Sequence, residues 1–205
     1  SDIFIRGSKV ALRMLIPFRL MMGITRPRKE IPGEVLAGEV VQTGSNVKRL
    51  RVGDRVYGLT GFTLGAYAEY ACLKDAVSTR GGLAIMPKNL TFEAATSAAY
   101  GGLLGLQYLE RGNIQPGQKI LIYGAAGTSG TVAVQYAKHL GAVVTAVCSA
   151  EKADLVRSLG SDKWIDYRSS DGLSRLETYD VVLDAVGKNR TSALREALQK
   201  NTPKG

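Results

Sequence analysis

At 205 residues the chain has room for one large domain or two small ones, and a hydrophobic content of 45% is ordinary for a globular protein. No apolar run reaches about 18 residues and no signal-peptide pattern is present, so we expect a cytoplasmic protein without a membrane span. The net charge of +9 raises a nucleic-acid hypothesis. Because Lys and Arg are spread along the chain, we favour solvated loops and attraction for a phosphate-rich small molecule, with no nucleic-acid partner.

The N-terminal part of the chain predicts a helix and then a β-rich region. Residues 8–16 have an amphipathic helical pattern, and the apolar stretch 18–22 is interpreted as a core-packed helix or, alternatively, as a lid. Strands are predicted at 35–43 and at 66–73, and the segment 52–57 is predicted to be a turn followed by a strand. Short strands joined by glycine turns indicate a compact, partly open β domain.

The C-terminal part of the chain predicts helices alternating with strands. Residues 91–110 predict a helix that Thr91 caps and that the pair Gly101-Gly102 breaks, since glycine costs about 1 kcal/mol relative to alanine inside a helix. The predicted strands that follow are 120–123, 143–148, 163–167 and 179–186. This alternation indicates an α/β fold with a doubly wound parallel sheet, whose further C-terminal strands we expect to be missing from the chain.

The most informative stretch is KILIYGAAGTSGTVAVQYAKHLG, residues 119–141. Three glycines, Gly124, Gly127 and Gly130, separate an apolar strand from a helical pattern that Gly141 ends. Glycines let the backbone turn sharply and let a pyrophosphate approach, and the helix N-terminus offers free N–H groups. The stretch therefore predicts a dinucleotide-binding turn, although the spacing is A-x-G-x-x-G and a tight turn without a ligand is the alternative.

The end of the next predicted strand indicates which dinucleotide is bound. An Asp or Glu usually stands there when the ribose carries a free 2′-OH. Here the strand ends at Cys148, with Ser149 and Lys152 following, and a hydroxyl with a cation accommodates a 2′-phosphate. We therefore predict NADP rather than NAD. Glu151 is the alternative candidate for an acid that binds the 2′-OH, but we expect it to interact with the dipole of the next helix. We also expect Ser149 to cap that helix.

Metal and hydrolase chemistry are disfavoured by the sequence. The single histidine, His139, is expected on a helix surface, and Cys72 and Cys148 are far apart and expected to be buried free thiols. Neither a C-x-x-C pair nor a Cys/His cluster is present, so we predict no metal site. A G-x-S-x-G nucleophile elbow is also absent.

Four segments together carry a family resemblance: VLAGEVVQTGSNVKRLRVGDRVYG, AYAEY, YGGLLGLQYLERGNIQPGQKILIYGAAGTSGTVAVQYAKHLGAVVTAVCS and DVVLDAVG. The chain resembles the medium-chain dehydrogenase/reductase superfamily, in the zinc-free branch around NADPH:quinone oxidoreductase and enone reductases. The resemblance implies a GroES-like partly open β-barrel domain over residues 1–95 without its first strands, and a Rossmann NADP-binding domain over 96–205 without its last. It also implies an active site in the cleft between the domains, and a homodimer.

The resemblance also assigns cofactor-binding residues in three groups: those around the pyrophosphate, those around the adenosine 2′-phosphate, and those near the nicotinamide and its ribose. The first group is Ala125, Ala126, Gly127, Thr128, Ser129 and Gly130; the second is Ser149, Lys152 and Tyr167; the third is Gly101, Gly102, Val186 and Gly187. Relatives that use zinc have a histidine where this chain has Glu34 and a cysteine near Ser1-Asp2, which argues against zinc here.

The implied reaction is hydride transfer from NADPH to a quinone or an α,β-unsaturated carbonyl. It requires few catalytic side chains, because the cofactor supplies the hydride and the protein binds and orients the reactants. Tyr57, Tyr67 and Tyr100 are candidate proton donors, with water as another source and structural packing as the alternative role of each tyrosine. Two other functions stay open: a zinc-dependent alcohol dehydrogenase, and a non-enzymatic scaffold that binds NADPH or RNA.

Overall fold

The structure is a computed structural model. It describes residues 30–75, 82–170, 176–187 and 191–198, together with Ile16, Leu20 and Gly23. The predicted helix at 8–16 and the predicted helix or lid at 18–22 thus lie outside the described residues, apart from two single positions. The chain divides between Ala99 and Tyr100 into two compact units, where the sequence predicts a domain boundary between residues 95 and 96.

The first unit contains an antiparallel sheet of three described strands in the order β1-β2-β3. The strands are β1 (Val35–Glu39), β2 (Arg55–Leu59) and β3 (Gly82–Ile85). Gly58 of β2 lies so close to β3 that a Cβ there would stand 2.0 Å from the carbonyl oxygen of Gly82. The pairing of these two strands therefore requires a glycine at position 58.

The sequence predictions for this unit need correction. The strand predicted at 35–43 ends at Glu39, the segment 66–73 forms no strand, and β3 was not predicted. An alternating pattern makes a strand only where a neighbour supplies ladder hydrogen bonds. The amides of Ala66 and Tyr67 donate to the carbonyls of Gly33 and Pro32, but none of the described strands pairs with 66–73, and Tyr70 is 74% exposed.

Helix α1 (Phe92–Arg111) is continuous. The hydroxyl of Thr91 accepts a hydrogen bond from the amide of Ala94 at 3.2 Å, which confirms the predicted N-cap. The predicted break at Gly101-Gly102 is wrong. Tertiary packing, described with the site below, explains why a helix tolerates glycine at the first of these positions.

The second unit is built on a parallel sheet of four described strands. These are β4 (Lys119–Tyr123), β5 (Val143–Cys148), β6 (Lys163–Asp166) and β7 (Val181–Asp184), in the order β6-β5-β4-β7. By position along the chain the order is third, second, first, fourth, so the winding reverses between β4 and β7. Such a reversal is the place where open α/β sheets bind ligands. The predicted parallel sheet of Rossmann type is confirmed.

The sheet is covered on both faces. Ile120 and Ile122 of β4 face a core that includes Val134 of helix α2 (Thr128–His139), whereas Leu121 faces a second core with Leu194 of helix α4 (Thr191–Glu196). Alternate residues of a strand point to opposite faces, so a continuous apolar run such as β4 is the pattern of a strand buried on both sides.

Two glycines end helices, and the sequence predicts the first of them. Gly141 follows α2, and Gly160 follows helix α3 (Ala153–Ser158). Both have positive φ, +81° and +101°, and both donate to the carbonyl three residues back. The next amide in each case bonds five residues back, which is the Schellman arrangement.

In the described part of the chain, no helix combines the length and apolar character needed to cross a membrane.

Candidate dinucleotide-binding site

The carboxyl ends of the four parallel strands meet at one edge of the second unit's sheet. The segments that follow them carry most of the residues assigned to the cofactor. Gly124 follows β4, Ser149 follows β5, Tyr167 follows β6 and Val186 follows β7 by two residues. Because the strand order is β6-β5-β4-β7, the edge runs from Tyr167 past Ser149 and Gly124 to Val186. The fold therefore brings together residues that are more than sixty positions apart in the sequence.

The turn after β4 depends on glycine at its first position. Gly124 has φ +81°, a conformation that side chains with a Cβ rarely adopt. Its amide and that of Ala125 both donate to the carbonyl of Val147 on β5, at 2.9 and 3.1 Å. The amide of Gly127 then donates to the carbonyl of Gly124 at 3.0 Å. These hydrogen bonds fix the turn to the sheet before α2 begins.

Gly130 allows the first turn of α2 to pack directly on that turn. A Cβ at position 130 would lie 2.2 Å from the carbonyl oxygen of Gly124 and 2.7 Å from the Cα of Ala125. Both contacts are to backbone, which cannot rotate away. Gly130 is thus required by close packing, the role that the third glycine has in nucleotide-binding turns.

The N-terminus of α2 is open to a ligand. Its N-cap is Gly127, so no side chain caps the helix, and Gly127 and Thr128 are exposed. The amides of Thr128, Ser129 and Gly130 lie in the first turn, where an α-helix offers no internal acceptor. An uncapped helix start with a bare glycine before it, at the switch point of a parallel sheet, fits the pyrophosphate of a dinucleotide.

The helix glycines Gly101 and Gly105 pack against the start of α2. A Cβ at position 101 would lie 2.6 Å from the carbonyl oxygen of Thr128, and one at position 105 would lie 3.1 Å from that of Ser129. Gly102 faces open space. The structure therefore places Gly101 beside the proposed phosphate turn and gives it a packing role there; its predicted position near the nicotinamide stays a prediction, as does that of Gly102.

The segment after β7 is ordered by a residue that the sequence prediction missed. Oδ1 of Asp184 accepts hydrogen bonds from the amides of Val186 and Gly187, at 2.9 and 3.0 Å. Val186 packs on the turn after β4, since a Cβ on Gly124 would lie 2.5 Å from its Cγ2. An aspartate whose side chain bonds amides two and three residues ahead is a common turn device, so the signal was present in the sequence.

The ends of β5 and β6 carry the predicted 2′-phosphate residues. Ser149 and Tyr167 are half-buried, and Lys152 is exposed with no ion-pair partner among the described residues. The ring of Tyr167 packs on that of Tyr123, the last residue of β4, at a centroid distance of 6.3 Å. Trp164 of β6 donates its indole N–H to the Sγ of Cys148 at 3.1 Å.

The predicted side-chain cap at Ser149 is wrong, whereas Glu151 lies in the first helical turn after β5, where it was expected. Ser149 makes no side-chain capping bond, and a short 3₁₀ turn, Ala150–Lys152, precedes α3. Interaction with the Ser149 hydroxyl is the main reason why the pKa of Glu151 lies below its usual range. Glu151 also accepts from Arg168 Nη1 at 2.7 Å, an ion pair that sequence reasoning missed.

The tyrosines proposed as proton donors lie in different units. Tyr57 is half-buried on β2 of the first unit, and Tyr100 is half-buried on α1 in the second. Tyr67 is 54% exposed. The catalytic roles of these residues stay predictions.

The metal-ligand candidates are dispersed. The described residues contain no group of three or more His, Cys, Asp or Glu side chains that could hold a metal ion. His139 is exposed and stacks on Tyr136, with ring centroids 6.2 Å apart. Both cysteines are free thiols, as predicted, but Cys72 is exposed, so its predicted burial is wrong.

Comparisons with known proteins agree with this architecture. Residues 8–80 match the family model of the alcohol dehydrogenase GroES-like domain, and residues 130–205 match that of the zinc-binding dehydrogenases. The chain is 37% identical over 170 residues to the NADPH-dependent alkenal/one oxidoreductase of Arabidopsis thaliana chloroplasts, covering 78% of this chain and 43% of that protein.

Two solved structures are similar in fold. The quinone oxidoreductase of Coxiella burnetii has a TM-score of 0.81 and 27% identity, over 97% of this chain and 59% of the other. The quinone oxidoreductase of Escherichia coli, solved in complex with NADPH, has a TM-score of 0.69 and 30% identity, over 90% and 58%. The chain spans about half the length of the relatives it matches.

A GroES-like domain followed by a Rossmann-like sheet with a glycine-rich turn defines a class of pyridine-nucleotide oxidoreductases. The chain belongs to the medium-chain dehydrogenase/reductase superfamily. Within it, the chain is related to the quinone oxidoreductases and the alkenal/one reductases.

Proposed function

We propose that the protein is a zinc-independent, NADPH-dependent oxidoreductase that reduces a quinone or an α,β-unsaturated carbonyl. The observation that carries this proposal is the sheet edge on which the glycine turn, Ser149 and Tyr167 follow three adjacent strands. A turn alone supports any dinucleotide, whereas a hydroxyl and the nearby cation Lys152 beside it support a 2′-phosphate.

The relatives support the same cofactor and substrate class. The Arabidopsis relative is described as NADPH-dependent and as acting on alkenals and alkenones, and the Escherichia coli quinone oxidoreductase was solved with NADPH. At 37% and 30% identity the chemistry of the family carries over more safely than the individual substrate, so the substrate is proposed as a class.

Each part of the edge has a role toward the cofactor. The first-turn amides of α2 and the exposed Gly127 would hold the pyrophosphate. Ser149, Lys152 and Tyr167 would surround the 2′-phosphate. Val186 and Gly187, held by Asp184, would lie along the nicotinamide ribose. When bound, NADPH supplies the hydride; the protein's residues bind and orient it.

The proton that completes the reduction would come from a tyrosine or from water. Tyr57 and Tyr100 are our candidates because each is half-buried and a phenol can donate a proton to a developing oxyanion. Replacement of both by phenylalanine in the full-length enzyme should lower kcat if either is the donor. Unchanged kcat would assign the step to water.

Zinc independence rests on the residues at the expected ligand positions. Glu34 occupies the place of a histidine ligand in the zinc-dependent relatives, and the sequence has a single histidine elsewhere.

We also propose that the protein is a homodimer in the cytoplasm and that it binds small molecules and no nucleic acid. The Arabidopsis relative is chloroplastic, so the compartment needs direct localisation of the tagged full-length protein.

The decisive experiment is turnover by the full-length protein with NADPH and NADH, using a quinone and an enone as acceptors, together with metal analysis of the purified enzyme. We expect NADPH oxidation with at least one acceptor, a preference for NADPH, and activity that a chelator does not change. Stoichiometric zinc with chelator-sensitive alcohol oxidation would instead establish the alternative dehydrogenase. Salt-dependent RNA binding without NADPH oxidation would establish the scaffold.

A further inference from the structure

Arg168 and Glu151 form an ion pair at the place where the proposed function puts the 2′-phosphate. Glu151 lies three residues after the end of β5, and Arg168 two residues after the end of β6. The guanidinium and carboxylate are 2.7 Å apart. Since β5 and β6 are neighbours in the sheet, the pair joins the two segments that carry Ser149 and Tyr167.

Both partners interact with the predicted phosphate ligands. The Ser149 hydroxyl is the main reason why the pKa of Glu151 is lowered. The guanidinium carbon of Arg168 lies 5.6 Å from the ring centroid of Tyr167, and a hydrogen bond with Tyr167 is the main reason why the pKa of Arg168 is raised. The backbone is also fixed there, because Oδ1 of Asp166 accepts from the amide of Arg168 at 2.9 Å.

The ion pair is exposed and therefore exchangeable. The side chains of Arg168 and Glu151 are 57% and 65% exposed, and ion pairs in such positions contribute little to stability. A phosphate monoester is a stronger partner than a carboxylate for an arginine, because it carries more charge and accepts two parallel hydrogen bonds. A carboxylate left beside that phosphate would repel it.

From this geometry we infer that Arg168 is a further ligand of the adenosine 2′-phosphate and that Glu151 is its internal competitor. The inference rests on the proposed NADPH site. In the protein without nucleotide, the carboxylate of Glu151 pairs with the guanidinium of Arg168. A 2′-phosphate takes the place of the carboxylate on the guanidinium, whereas a ribose with a free 2′-OH leaves the ion pair intact. Glu151 thereby lowers the affinity for NADPH without preventing the preference for it.

The test compares 2′,5′-ADP with 5′-AMP, which differ only in the 2′-phosphate, by calorimetric titration of the chain. Arg168→Gln should weaken 2′,5′-ADP about tenfold and leave 5′-AMP within twofold. Glu151→Gln should strengthen 2′,5′-ADP about threefold or more, and most of this gain should be lost in the double variant, because the competition between carboxylate and phosphate requires the guanidinium.

The matched control is Arg111→Gln. Arg111 ends α1, and the adjacent Gly112 lies near Val181 at the amino end of β7, so Arg111 is near the opposite edge of the sheet. Its replacement removes the same charge and should change neither affinity by more than twofold. A similar loss of affinity for 2′,5′-ADP in this variant would show that Arg168 acts only through the net charge of the chain, and it would overturn the inference.

The remaining outcomes separate this inference from the proposed function. If the unaltered chain does not distinguish 2′,5′-ADP from 5′-AMP, the NADPH proposal fails and the inference fails with it. If the chain distinguishes them and Arg168→Gln still does so equally well, only the inference fails. Weaker 5′-AMP binding by Glu151→Gln would make Glu151 a ligand of the ribose and would also overturn the inference.

Discussion

Gly101 and Gly102 are adjacent in one helix but have different surroundings. A Cβ at Gly101 would lie 2.6 Å from the backbone of Thr128, whereas a Cβ at Gly102 would have nothing within 4 Å. The two alanine variants gain the same helix propensity, so their difference isolates the contact between α1 and the start of α2.

Gly102→Ala should stabilise the chain by about 0.5–1 kcal/mol through its propensity gain, whereas Gly101→Ala should destabilise it by about 1–3 kcal/mol through overpacking. The measurement is urea unfolding followed by the fluorescence of Trp164. Equal effects of the two substitutions would show that α1 does not approach α2 as closely as described.

The two cysteines should differ in reactivity. Cys148 is buried and Cys72 exposed, and burial raises the pKa of the Cys148 thiol, so less of the reactive thiolate is present. At pH 8 a disulfide reagent should modify one thiol rapidly and the second only after unfolding, and Cys72→Ser should remove the rapid phase. Rapid modification of both thiols would contradict the buried position of Cys148.

The same pKa shift predicts a direction for stability. The folded-state pKa of Cys148 is raised above the unfolded value, which is about 8.5. Its contribution to stability is therefore complete below about pH 8.5 and is lost as the pH rises through the folded-state pKa. Cys148→Ser should flatten the decline in the free energy of unfolding above that pH. An unchanged decline in the variant would assign it to other groups.

At the residue scale, the sequence identified the glycines but not the side-chain partners. The roles of Gly124 and Gly130 could be predicted, because the spacing of the glycines indicates where the backbone turns and where the helix packs closely. The pairing of Glu151 with Arg168 depends on two strands being neighbours in space, and no local pattern reveals that. The role of Asp184 is local, because its carboxylate accepts from amides two and three residues ahead, and an aspartate three residues before a glycine is a turn signal that the sequence carries.

At the element scale, Asp162 connects three parts of the second unit. Its carboxylate accepts from Lys138 Nζ of α2 at 2.8 Å and from the amide of Val144 on β5 at 2.7 Å, and it lies just before β6. Burial favours its neutral form, but the hydrogen bonds from Lys138 and Val144 outweigh this and lower the pKa of Asp162.

Asp162→Asn should therefore destabilise the chain at pH 7 by about 1 kcal/mol, a figure reduced for partial exposure. Because the folded-state pKa is lowered, the contribution is present above the unfolded value of about 3.9 and is lost as the pH falls through the folded-state pKa. The variant and the unaltered chain should converge in unfolding free energy in acid. A constant difference from pH 7 down to pH 2 would contradict the role of the charge.

The strands were predictable where they are buried on both faces, because their sequence is then a continuous apolar run. Apart from Lys119 and Thr145, the residues of β4 and β5 are apolar, and all but the first residue of each strand are buried, so the sequence placed both correctly. The segment 66–73 alternates as a strand should, yet it forms none, because strand formation requires a partner that local pattern does not report. The glycine pair in α1 was wrongly taken as a break, because the compensating contact with Thr128 comes from a distant part of the chain.

At the scale of the whole molecule, the chain combines two family domains and carries a net charge of +9. NADPH bears more negative charge than NADH, so its binding should weaken more steeply with salt. Titrations at low and high sodium chloride should therefore show the preference for NADPH narrowing as salt increases. A preference independent of salt would mean that the 2′-phosphate is not recognised by charge.

The fold class and family were predictable because strand alternation, the glycine turn and the GroES-like segments give independent signals along most of the chain. The substrate was not, because the sheet edge determines only where the cofactor is held. The full-length protein is needed to identify the substrate, since the chain covers 43% of its Arabidopsis relative.

The most direct test of the central claim is a comparison of NADPH and NADH binding to the chain by Trp164 fluorescence. Trp164 is the sole tryptophan, and its indole contacts Cys148, the residue before Ser149. We predict that NADPH binds at least tenfold more tightly than NADH and that Gly130→Ala weakens both. Equal affinities for the two nucleotides would contradict the assignment of this sheet edge to a 2′-phosphate.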